Sequence, residues 1–386
     1  MSTPDVVWIR SPEALAALGR ELGGTGALAL DTEADSLHHY PERLCLVQLA
    51  DAGGHVYLVD PLALSDLEPL RPVCADPATL KVFHSAENDL GHLKRRFGFT
   101  FTHLADTALA ARLLGIRELG LDALIERCLG VKPPKSQQKT DWARRPLSPA
   151  QEAYAAEDVR HLVALNDRLT AELRTLGRES WFREECEALA AAPPPSERAV
   201  DSDAYRRLRG ASRLDSRGLA VLHALFAQRE AWAVAERRPP FKVLNPETLV
   251  ALAAARPQTR GALAGIPGLP PRLVERYGDG IIDAVNRGLA ERLVPAPRRS
   301  HPRPVASPVV QKRGDALKRW RATAAERTGL DPGVLLPQRL IDVLAAEPPR
   351  DAAALRVVPG FRRWRTEAFG SEILAALAAA EPARRS

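Results

Sequence analysis

The sequence predicts an α/β domain in the first half of the chain, followed by two small all-α domains in the second half. Strand and helix patterns alternate in the first half, proline-rich segments interrupt the chain twice, and a stretch of the second half recurs at an offset of 91 or 92 residues. A chain of 386 residues suits two or three domains of roughly 100 to 200 residues each. The predicted domains are 1–190, 205–295 and 310–386, joined by linkers at 191–204 and 296–309.

The first strands of the α/β domain come from the segments TGALALDTEA, RLCLVQLA and HVYLVD, between residues 25 and 60, with DAGG as a turn. They predict an antiparallel meander. Asp31 and Glu33 lie two residues apart near the end of the first strand. Because side chains alternate along a strand, both carboxylates are expected on the same face.

The next segment, KVFHSAENDLGHLKRRFG, predicts a short strand that runs into a helix. Ser85 is the expected N-cap of that helix, and Asp89 falls in its opening turns. Two further helices are predicted at DTALAARLLG and LDALIERCLG. A Ser-Pro start signal then opens one long amphipathic helix over residues 147–169, on which Tyr154 and Asp158 share a face because they are four residues apart.

The second half repeats itself. LNPETLVALAAARPQTRGALAGIPGLPPRLVERYGDGIIDAV aligns with LPQRLIDVLAAEPPRDAAALRVVPGFRRWRTEAFGSEILAAL. Matched pairs include Leu249 with Leu340, Pro257 with Pro348, Leu263 with Leu355, Pro267-Gly268 with Pro359-Gly360, and Gly278 with Gly370. Two copies of one small helical domain are therefore predicted.

The composition, with 45% hydrophobic and 26% charged residues, is typical of a soluble globular protein. No apolar run approaches a membrane span, and the first residues lack a secretory signal, so we expect a cytoplasmic protein without a membrane partner. The four cysteines lack CxxC spacing, which argues against a zinc site or a disulfide framework.

Charge is distributed unevenly between the two halves. Residues 1–200 hold 22 Lys and Arg against 29 Asp and Glu, a net charge of −7, whereas residues 201–386 hold 32 against 19, a net charge of +13. This asymmetry suggests that the basic half, residues 201–386, attracts a polyanion, while the acidic half, residues 1–200, acts on it with the help of cations.

Four carboxylates, those of Asp31, Glu33, Asp89 and Asp158, stand in otherwise apolar segments. Unpaired buried charge is costly, and divalent metal would remove that cost. Hard oxygen ligands suit Mg²⁺ or Mn²⁺, and a pair of such ions can support phosphodiester hydrolysis. The acids therefore predict a two-metal site for phosphodiester chemistry, with solvated strand ends and helix faces as the alternative for each motif alone.

These motifs carry a resemblance to a known family. LALDTEA, FHSAENDL and TDWARRPLSPAQEAYAAEDVRHL resemble, in this order, the three exonuclease motifs of the tyrosine-containing branch of the DEDD superfamily. Over its whole length the chain resembles the bacterial ribonuclease D family, in which an exonuclease domain precedes two helicase-and-RNase-D C-terminal (HRDC) domains. D-x-E alone is a weak signal, but the ordered combination is specific.

The resemblance implies an RNase H-like α/β exonuclease domain with a mixed sheet flanked by helices, followed by two all-α HRDC-like domains. It also implies a 3′-to-5′ exoribonuclease that uses two divalent ions, Mg²⁺ or Mn²⁺, and releases nucleoside 5′-monophosphates. Asp31, Glu33 and Asp158 would hold one ion, and Asp31 with Asp89 the second. Tyr154 would orient the attacking water, since a phenol with a pKa near 10 is a poor base at neutral pH.

The expected partner is RNA, by analogy a tRNA precursor with a single-stranded 3′ end, bound by a monomer. Candidate RNA contacts are arginines near aromatic residues or just before the Tyr154 helix, for which a solvated helix face is the alternative. They are Arg144, Arg145, Arg206, Arg207, Arg319, Arg321, Arg362 and Arg363.

Two other functions remain open at this point. One is a DNA 3′-to-5′ exonuclease in repair, because related modules occur in DNA enzymes. The other is a noncatalytic RNA-binding scaffold, which the four intact acids disfavour. The sequence contains no P-loop motif, so no nucleotide cofactor is expected.

Overall fold

A computed structural model describes residues 6–134, 136–194, 203–291 and 307–381. The α/β part contains six strands that form one sheet. They are β1 (Val6–Ile9), β2 (Ala27–Ala34), β3 (Leu44–Asp51), β4 (Val56–Val59), β5 (Leu80–Phe83) and β6 (Leu104–Asp106).

The sheet is mixed, with the strand order β1-β4-β3-β2-β5-β6. β3 and β4 pair antiparallel, as expected for strands joined by a tight turn, whereas β1 with β4, β2 with β5, and β5 with β6 pair parallel. β3 and β4 are buried almost throughout, as is usual for strands covered on both faces. In this order β2 lies between β3 and β5. Side chains at the C-terminal end of β2 are therefore held by strands on both sides.

Helices flank this sheet. They are α1 (Pro12–Glu21), α2 (Arg71–Ala75), α3 (Glu87–Phe97), α4 (Thr107–Leu114), α5 (Leu121–Leu129), α6 (Pro149–Arg160), α7 (Leu162–Thr175) and α8 (Glu179–Ala191). The predicted mixed α/β fold is confirmed. The single long helix over residues 147–169 is a wrong prediction, because the helix is interrupted at His161, at φ −102° and ψ −4°, which separates α6 from α7.

The second half of the chain folds into the two predicted helical repeats. The first contains α9 (Ser216–Ala235), α10 (Pro240–Val243), α11 (Pro246–Ala255) and α12 (Pro271–Ala290). The second contains α13 (Pro308–Thr328), α14 (Pro332–Leu335), α15 (Gln338–Ala346), α16 (Ala352–Arg356) and α17 (Arg363–Ala379). The matched glycines Gly268 and Gly360 both have positive φ, +76° and +79°, which explains why both repeats keep glycine there.

The two repeats belong to different compact units. Residues 34–43 group with 195–303, which contain the first repeat, and this unit has its own apolar core around Leu222, Leu249 and Ile281. The second repeat instead forms one unit with the α/β domain and shares its hydrophobic core. The third predicted domain is thus packed as part of the exonuclease unit.

Helix α8 carries the contact between the α/β domain and the second repeat. The rings of Trp181 and Trp364 stack with centroids 4.5 Å apart and planes 15° apart. The Glu184 carboxylate accepts hydrogen bonds from the backbone N–H groups of Arg363 and Trp364, at 2.6 and 2.9 Å. It therefore caps the start of α17, where an anion is favoured by the helix dipole.

Glu185 completes this contact. Its carboxylate accepts from Trp364 Nε1 at 2.9 Å and from Arg362 Nε at 3.0 Å, and it pairs with Arg365 Nη1 at 2.9 Å. The Arg365 side chain is only 7% exposed. A buried guanidinium of this kind depends on its carboxylate partner.

In the part of the chain that the structure describes, no helix combines the length and apolarity needed to cross a membrane.

Replacing Glu185 with Ala is expected to lower the free energy of unfolding by about 3 kcal/mol, because the charge of Arg365 would stay buried without its partner. Urea unfolding measures this loss. The matched control is Glu187→Ala, on the exposed side of the same helix, for which a change within about 0.5 kcal/mol is expected. Equal stability of the two variants would contradict the assigned role of Glu185.

Candidate active site

The first two carboxylates of the site lie at the end of the central strand β2. Leu28, Ala29 and Leu30 are buried, and the strand becomes half-buried from Asp31 onward. Asp31 and Glu33 are two positions apart on this strand and therefore point to the same face. The apolar start of the strand fixes its place in the sheet, and the acids emerge where the core ends.

The third carboxylate, that of Asp158, is held by helix α6. Ser148 and Gln151 form a capping box at its start, with Ser148 Oγ accepting from the Gln151 N–H at 3.3 Å and Gln151 Oε1 accepting from the Ser148 N–H at 3.0 Å. The expected Ser-Pro helix start is therefore confirmed. The cap fixes where the helix begins and hence where Asp158, 8% exposed, stands three turns later.

The three acids converge. One carboxylate oxygen from each of Asp31, Glu33 and Asp158 lies within 4.8 Å of the other two. Among the described residues, no lysine or arginine forms an ion pair with any of them. Three unpaired carboxylates in a half-buried setting are the donor set that a hard divalent cation such as Mg²⁺ or Mn²⁺ prefers, so these residues fit a metal.

Burial and repulsion by neighbouring carboxylates raise the pKa values of the three clustered acids. Burial, with a contribution from the Asp158 charge, raises the pKa of Asp31 to about 8. Burial and the charges of Asp31, Asp158 and Asp89 raise the pKa of Glu33 to about 10. Burial also raises the pKa of Asp158 to about 7, against a hydrogen bond from Tyr154 that lowers it. In the absence of a cation, the folded chain thus holds protons that an unfolded chain would release at neutral pH.

Asp89 stands beside this group rather than within it. Its carboxylate, 7% exposed, accepts a hydrogen bond from the hydroxyl of Thr32, the residue between the two β2 acids. Burial, followed by the charge of Asp31, raises its pKa well above the usual value. The structure therefore brings all four predicted acids into electrostatic range and adds Thr32, which residue spacing did not single out.

The turn that carries Asp89 is held differently from the expectation. Ser85 is not the N-cap of α3; it has a positive φ of +59°, and the capping position is Ala86, without a side-chain cap. The backbone N–H groups of Ser85 and Ala86 instead donate to the two carboxylate oxygens of Asp106, at 3.0 and 2.9 Å. Asp106 is almost fully buried and also caps α4 by accepting from the Ala108 N–H at 2.8 Å.

Asp106 is thus a positioning residue for Asp89 that the sequence did not reveal. Its acceptors replace the cap that Ser85 was expected to supply, and they stabilise a backbone conformation that a residue with a side chain rarely adopts. The only local signal, the Asp that begins DTALAARLLG, indicates the cap of α4 alone.

Tyr154 lies on α6 four residues before Asp158 and is 4% exposed. Its hydroxyl lies within hydrogen-bonding reach of Asp158 and Ser136, and its ring centroid lies 6.2 Å from that of buried Trp142. Burial, the negative charges of Asp158 and Glu33, and the bond to Asp158 raise its pKa far above the usual value. The phenol therefore keeps its proton at neutral pH and can donate it in a hydrogen bond.

The eight arginines predicted to contact RNA have different surroundings. Arg145 makes two hydrogen bonds to Asp60, at 2.7 and 2.8 Å, and Arg362 pairs with Glu185. Arg206 pairs with Asp203, and Arg321 donates to the Leu336 carbonyl at 3.0 Å. These four guanidinium groups serve internal contacts. The other four are exposed on the surface, namely Arg144, Arg207, Arg319 and Arg363.

Comparison with known proteins agrees with this fold. A family model described as 3′-5′ exonuclease matches residues 6–174, and the HRDC domain model matches residues 218–285 and 311–377. The fold and the acidic site thus define a 3′-to-5′ exonuclease that carries two HRDC domains.

Full-length relatives narrow this class. Ribonuclease D of Pseudomonas paraeruginosa is 33% identical over 388 residues, covering 98% of this chain and all of the relative. Ribonuclease D of Gluconacetobacter diazotrophicus is 34% identical over 96% of this chain and 93% of the relative. The chain belongs to the ribonuclease D family and is a 3′-to-5′ exoribonuclease.

Solved structures show the same arrangement of elements. Escherichia coli RNase D, described as an exoribonuclease involved in structured RNA processing, superposes with a TM-score of 0.70 at 26% identity, over 97% of this chain and 99% of that one. A protein from Bifidobacterium adolescentis reaches a TM-score of 0.82 at 24% identity over 97% of each chain, which supports the fold.

The raised pKa values predict how pH and metal affect stability. Without divalent cations, the folded state keeps protons on Asp31, Glu33 and Asp158 that the unfolded chain loses near pH 4, so unfolding becomes easier as the pH rises from about 5 to 9. Mg²⁺ should raise Tm more at pH 8 than at pH 5.5, because it replaces those protons. Thermal unfolding with Mg²⁺ or EDTA measures both effects. In Asp31→Asn most of the Mg²⁺ effect should disappear, and an unchanged effect would contradict this assignment.

Replacing Asp106 with Asn should weaken Mn²⁺ binding by roughly tenfold, because one of its two acceptor oxygens becomes an N–H₂ group that faces a backbone donor. Mn²⁺ binding followed by electron paramagnetic resonance measures this effect apart from activity. Asp76→Asn is the matched control, since Asp76 also accepts from a backbone N–H, that of Ala78, in another turn. Wild-type Mn²⁺ affinity in Asp106→Asn would refute the positioning role.

Proposed function

We propose that the four carboxylates hold two divalent cations, Mg²⁺ or Mn²⁺, and that the chain removes nucleoside 5′-monophosphates one at a time from the 3′ end of RNA. The observation that carries this proposal is the convergence of Asp31, Glu33 and Asp158 without a basic partner among the described residues. An arrangement that costs this much electrostatically is retained where bound cations offset it.

Asp31, Glu33 and Asp158 would hold one ion, and Asp31 with Asp89 the other. Held there, such ions would supply Lewis-acid activation of the attacking water and stabilisation of the negative charge that develops during hydrolysis. Thr32 fixes the Asp89 carboxylate by its hydrogen bond. Asp106 fixes the backbone turn that leads into the Asp89 helix. Asp89 is thus held in place by two residues outside the group of four acids.

Tyr154 would position the attacking water. Its hydroxyl is within hydrogen-bonding reach of Asp158, and its raised pKa keeps it protonated. A phenol in this state is a hydrogen-bond donor and not a base at neutral pH. Packing against Trp142 orients the ring and leaves the hydroxyl directed by its polar neighbours.

The substrate we infer is a structured RNA with a single-stranded 3′ end, such as a tRNA precursor, in the cytoplasm. The net charge of +13 over residues 201–386 supports binding of a polyanion by the HRDC repeats. We infer a monomer that needs no nucleotide cofactor. Preference for DNA, in a repair exonuclease, is the alternative against which the RNA assignment is tested.

The test incubates the purified chain with matched RNA and DNA oligonucleotides, labelled at either end, in Mg²⁺, Mn²⁺ or EDTA. Stepwise shortening of RNA from the 3′ end is expected with either ion and none with EDTA. Asp31→Asn and Asp158→Asn should each lower hydrolysis at least 10³-fold, an order-of-magnitude expectation for loss of a ligand from the metal site, while the fold is retained.

Each outcome has a consequence for the proposal. Faster digestion of DNA than of RNA would favour the repair alternative. Metal-dependent hydrolysis at the wild-type rate in either variant would overturn the assignment of the four acids. Glu42→Gln, on an exposed acid outside the cluster, is the matched control for loss of one negative charge.

A further inference from the structure

The two helical repeats differ in sequence where their first helix meets the short helix that follows. We call this segment the corner; it spans residues 236–242 in the first repeat and 328–334 in the second. Its sequence is ERRPPFK in the first repeat and TGLDPGV in the second. The corners occupy equivalent positions, because α10 (240–243) and α14 (332–335) are separated by 92 residues, as are Gly268 and Gly360.

The corner of the second repeat is used for packing within the exonuclease unit. Arg178 Nη2 donates to the Thr328 carbonyl at 3.0 Å. Gly329 approaches Gly115 so closely that a side chain on Gly115 would collide with the Gly329 carbonyl. Arg365 Nη2 donates to the Val334 carbonyl at 2.9 Å. Small residues and accessible carbonyls suit such close packing.

The corner of the first repeat has opposite properties. Arg237 replaces Gly329, Phe241 replaces Gly333, and Lys242 replaces Val334. The Phe241 side chain is 48% exposed and is the only exposed Phe, Trp or Tyr in the part of the chain that the structure describes. An exposed aromatic ring leaves a face on which a planar ligand such as a nucleic-acid base can stack.

Arg237 adds a second unusual feature. Its φ of +51° lies in the left-handed region, where the second repeat has Gly329 at +72°. A side chain at such a φ costs stability that glycine would not. Both repeats adopt a positive φ at this position, so glycine would fit the first repeat as it fits the second. The presence of arginine despite its conformational cost points to a function for its charge.

The single acid of this corner is already neutralised. Glu236 pairs with Arg276 at 2.9 Å and with Arg238 at 3.2 Å, and it also accepts from the Tyr277 hydroxyl at 2.8 Å. Arg238 further donates to the Lys242 carbonyl at 3.2 Å, which ties the two ends of the corner together. Arg237 and Lys242 are both exposed and thus leave the corner with a net positive charge, and Lys242 follows Phe241 directly in the chain.

We propose that the first-repeat corner binds single-stranded RNA, with a base stacked on Phe241 and phosphates contacted by Arg237 and Lys242. An exposed ring flanked by cations matches this ligand, since every base offers a face for stacking and every nucleotide a phosphate. The proposal rests on the inferred role of the HRDC repeats in holding RNA and names the surface that does so. The two repeats would then have different roles, because the corner of the second repeat is packed against other parts of the exonuclease unit.

The test measures binding of a fluorescent single-stranded RNA of 12 nucleotides to the full-length Asp31→Asn chain, which leaves the RNA intact. Phe241→Ala is expected to weaken binding about tenfold, within the range for loss of one stacked base. Arg237→Gly and Lys242→Ala should each lower the slope of log affinity against log salt by about 0.7. Arg237→Gly should unfold at the same or a higher temperature, since glycine suits this φ.

Controls come from the second repeat. Val357→Ala removes an apolar side chain that is 79% exposed, and Arg350→Ala removes an exposed cation. Both should bind RNA as the Asp31→Asn parent does. Parental affinity in Phe241→Ala would overturn the proposal, and so would a parental salt slope in both Arg237→Gly and Lys242→Ala. Equal weakening by the controls would also overturn it, because it would indicate nonspecific attraction of the RNA.

Failure of the proposed function would look different. It would appear as absent or DNA-directed hydrolysis by the wild-type chain, whereas the corner is judged by RNA binding to an inactive chain. A negative outcome in the hydrolysis assay therefore does not affect the interpretation of the RNA-binding assay, and the reverse also holds.

Discussion

Repulsion among carboxylates at the end of one strand is the constraint on which the rest of the exonuclease unit depends. Asp31 and Glu33 cannot move apart, because β2 is fixed between β3 and β5. Asp158 cannot withdraw, because the capping box fixes the start of α6. The fold thus holds the carboxylates close together, which raises the pKa values of Asp31 and Glu33. A bound cation would offset this repulsion. Two neighbouring residues, Thr32 and Asp106, keep Asp89 and its helix in place.

The sequence predicted the fold class, the motif positions and the repeats because each depends on local pattern. Strand alternation placed Asp31 and Glu33 on one face, and helical spacing placed Tyr154 near Asp158. What failed depends on contacts distant in sequence. Ser85 looks like an N-cap, yet the acceptor for this turn, Asp106, comes from a strand 21 residues further on. No local rule distinguishes these two ways to hold the same turn.

The arginines show the same limit. Arg362 and Arg145 read as exposed basic residues, but their partners, Glu185 and Asp60, lie 177 and 85 residues earlier. A charge pattern predicts that a surface is basic on average and does not say which guanidinium groups remain for a ligand. The difference between the two corners, by contrast, is visible in the sequence once the repeats are aligned, since glycine and valine in one copy stand where arginine, phenylalanine and lysine stand in the other.

The stacked indoles of Trp181 and Trp364 bear on where this protein can be divided. Sequence repetition suggests that the last 75 or so residues are a separable module, but their removal would leave an aromatic ring and the carboxylates of Glu184 and Glu185 on α8 without partners. A fragment that ends after the first repeat is therefore not a smaller working nuclease by default. The boundaries of the sequence repeats therefore differ from the boundaries of the compact units. Only the boundaries of the compact units are relevant to the design of a minimal enzyme.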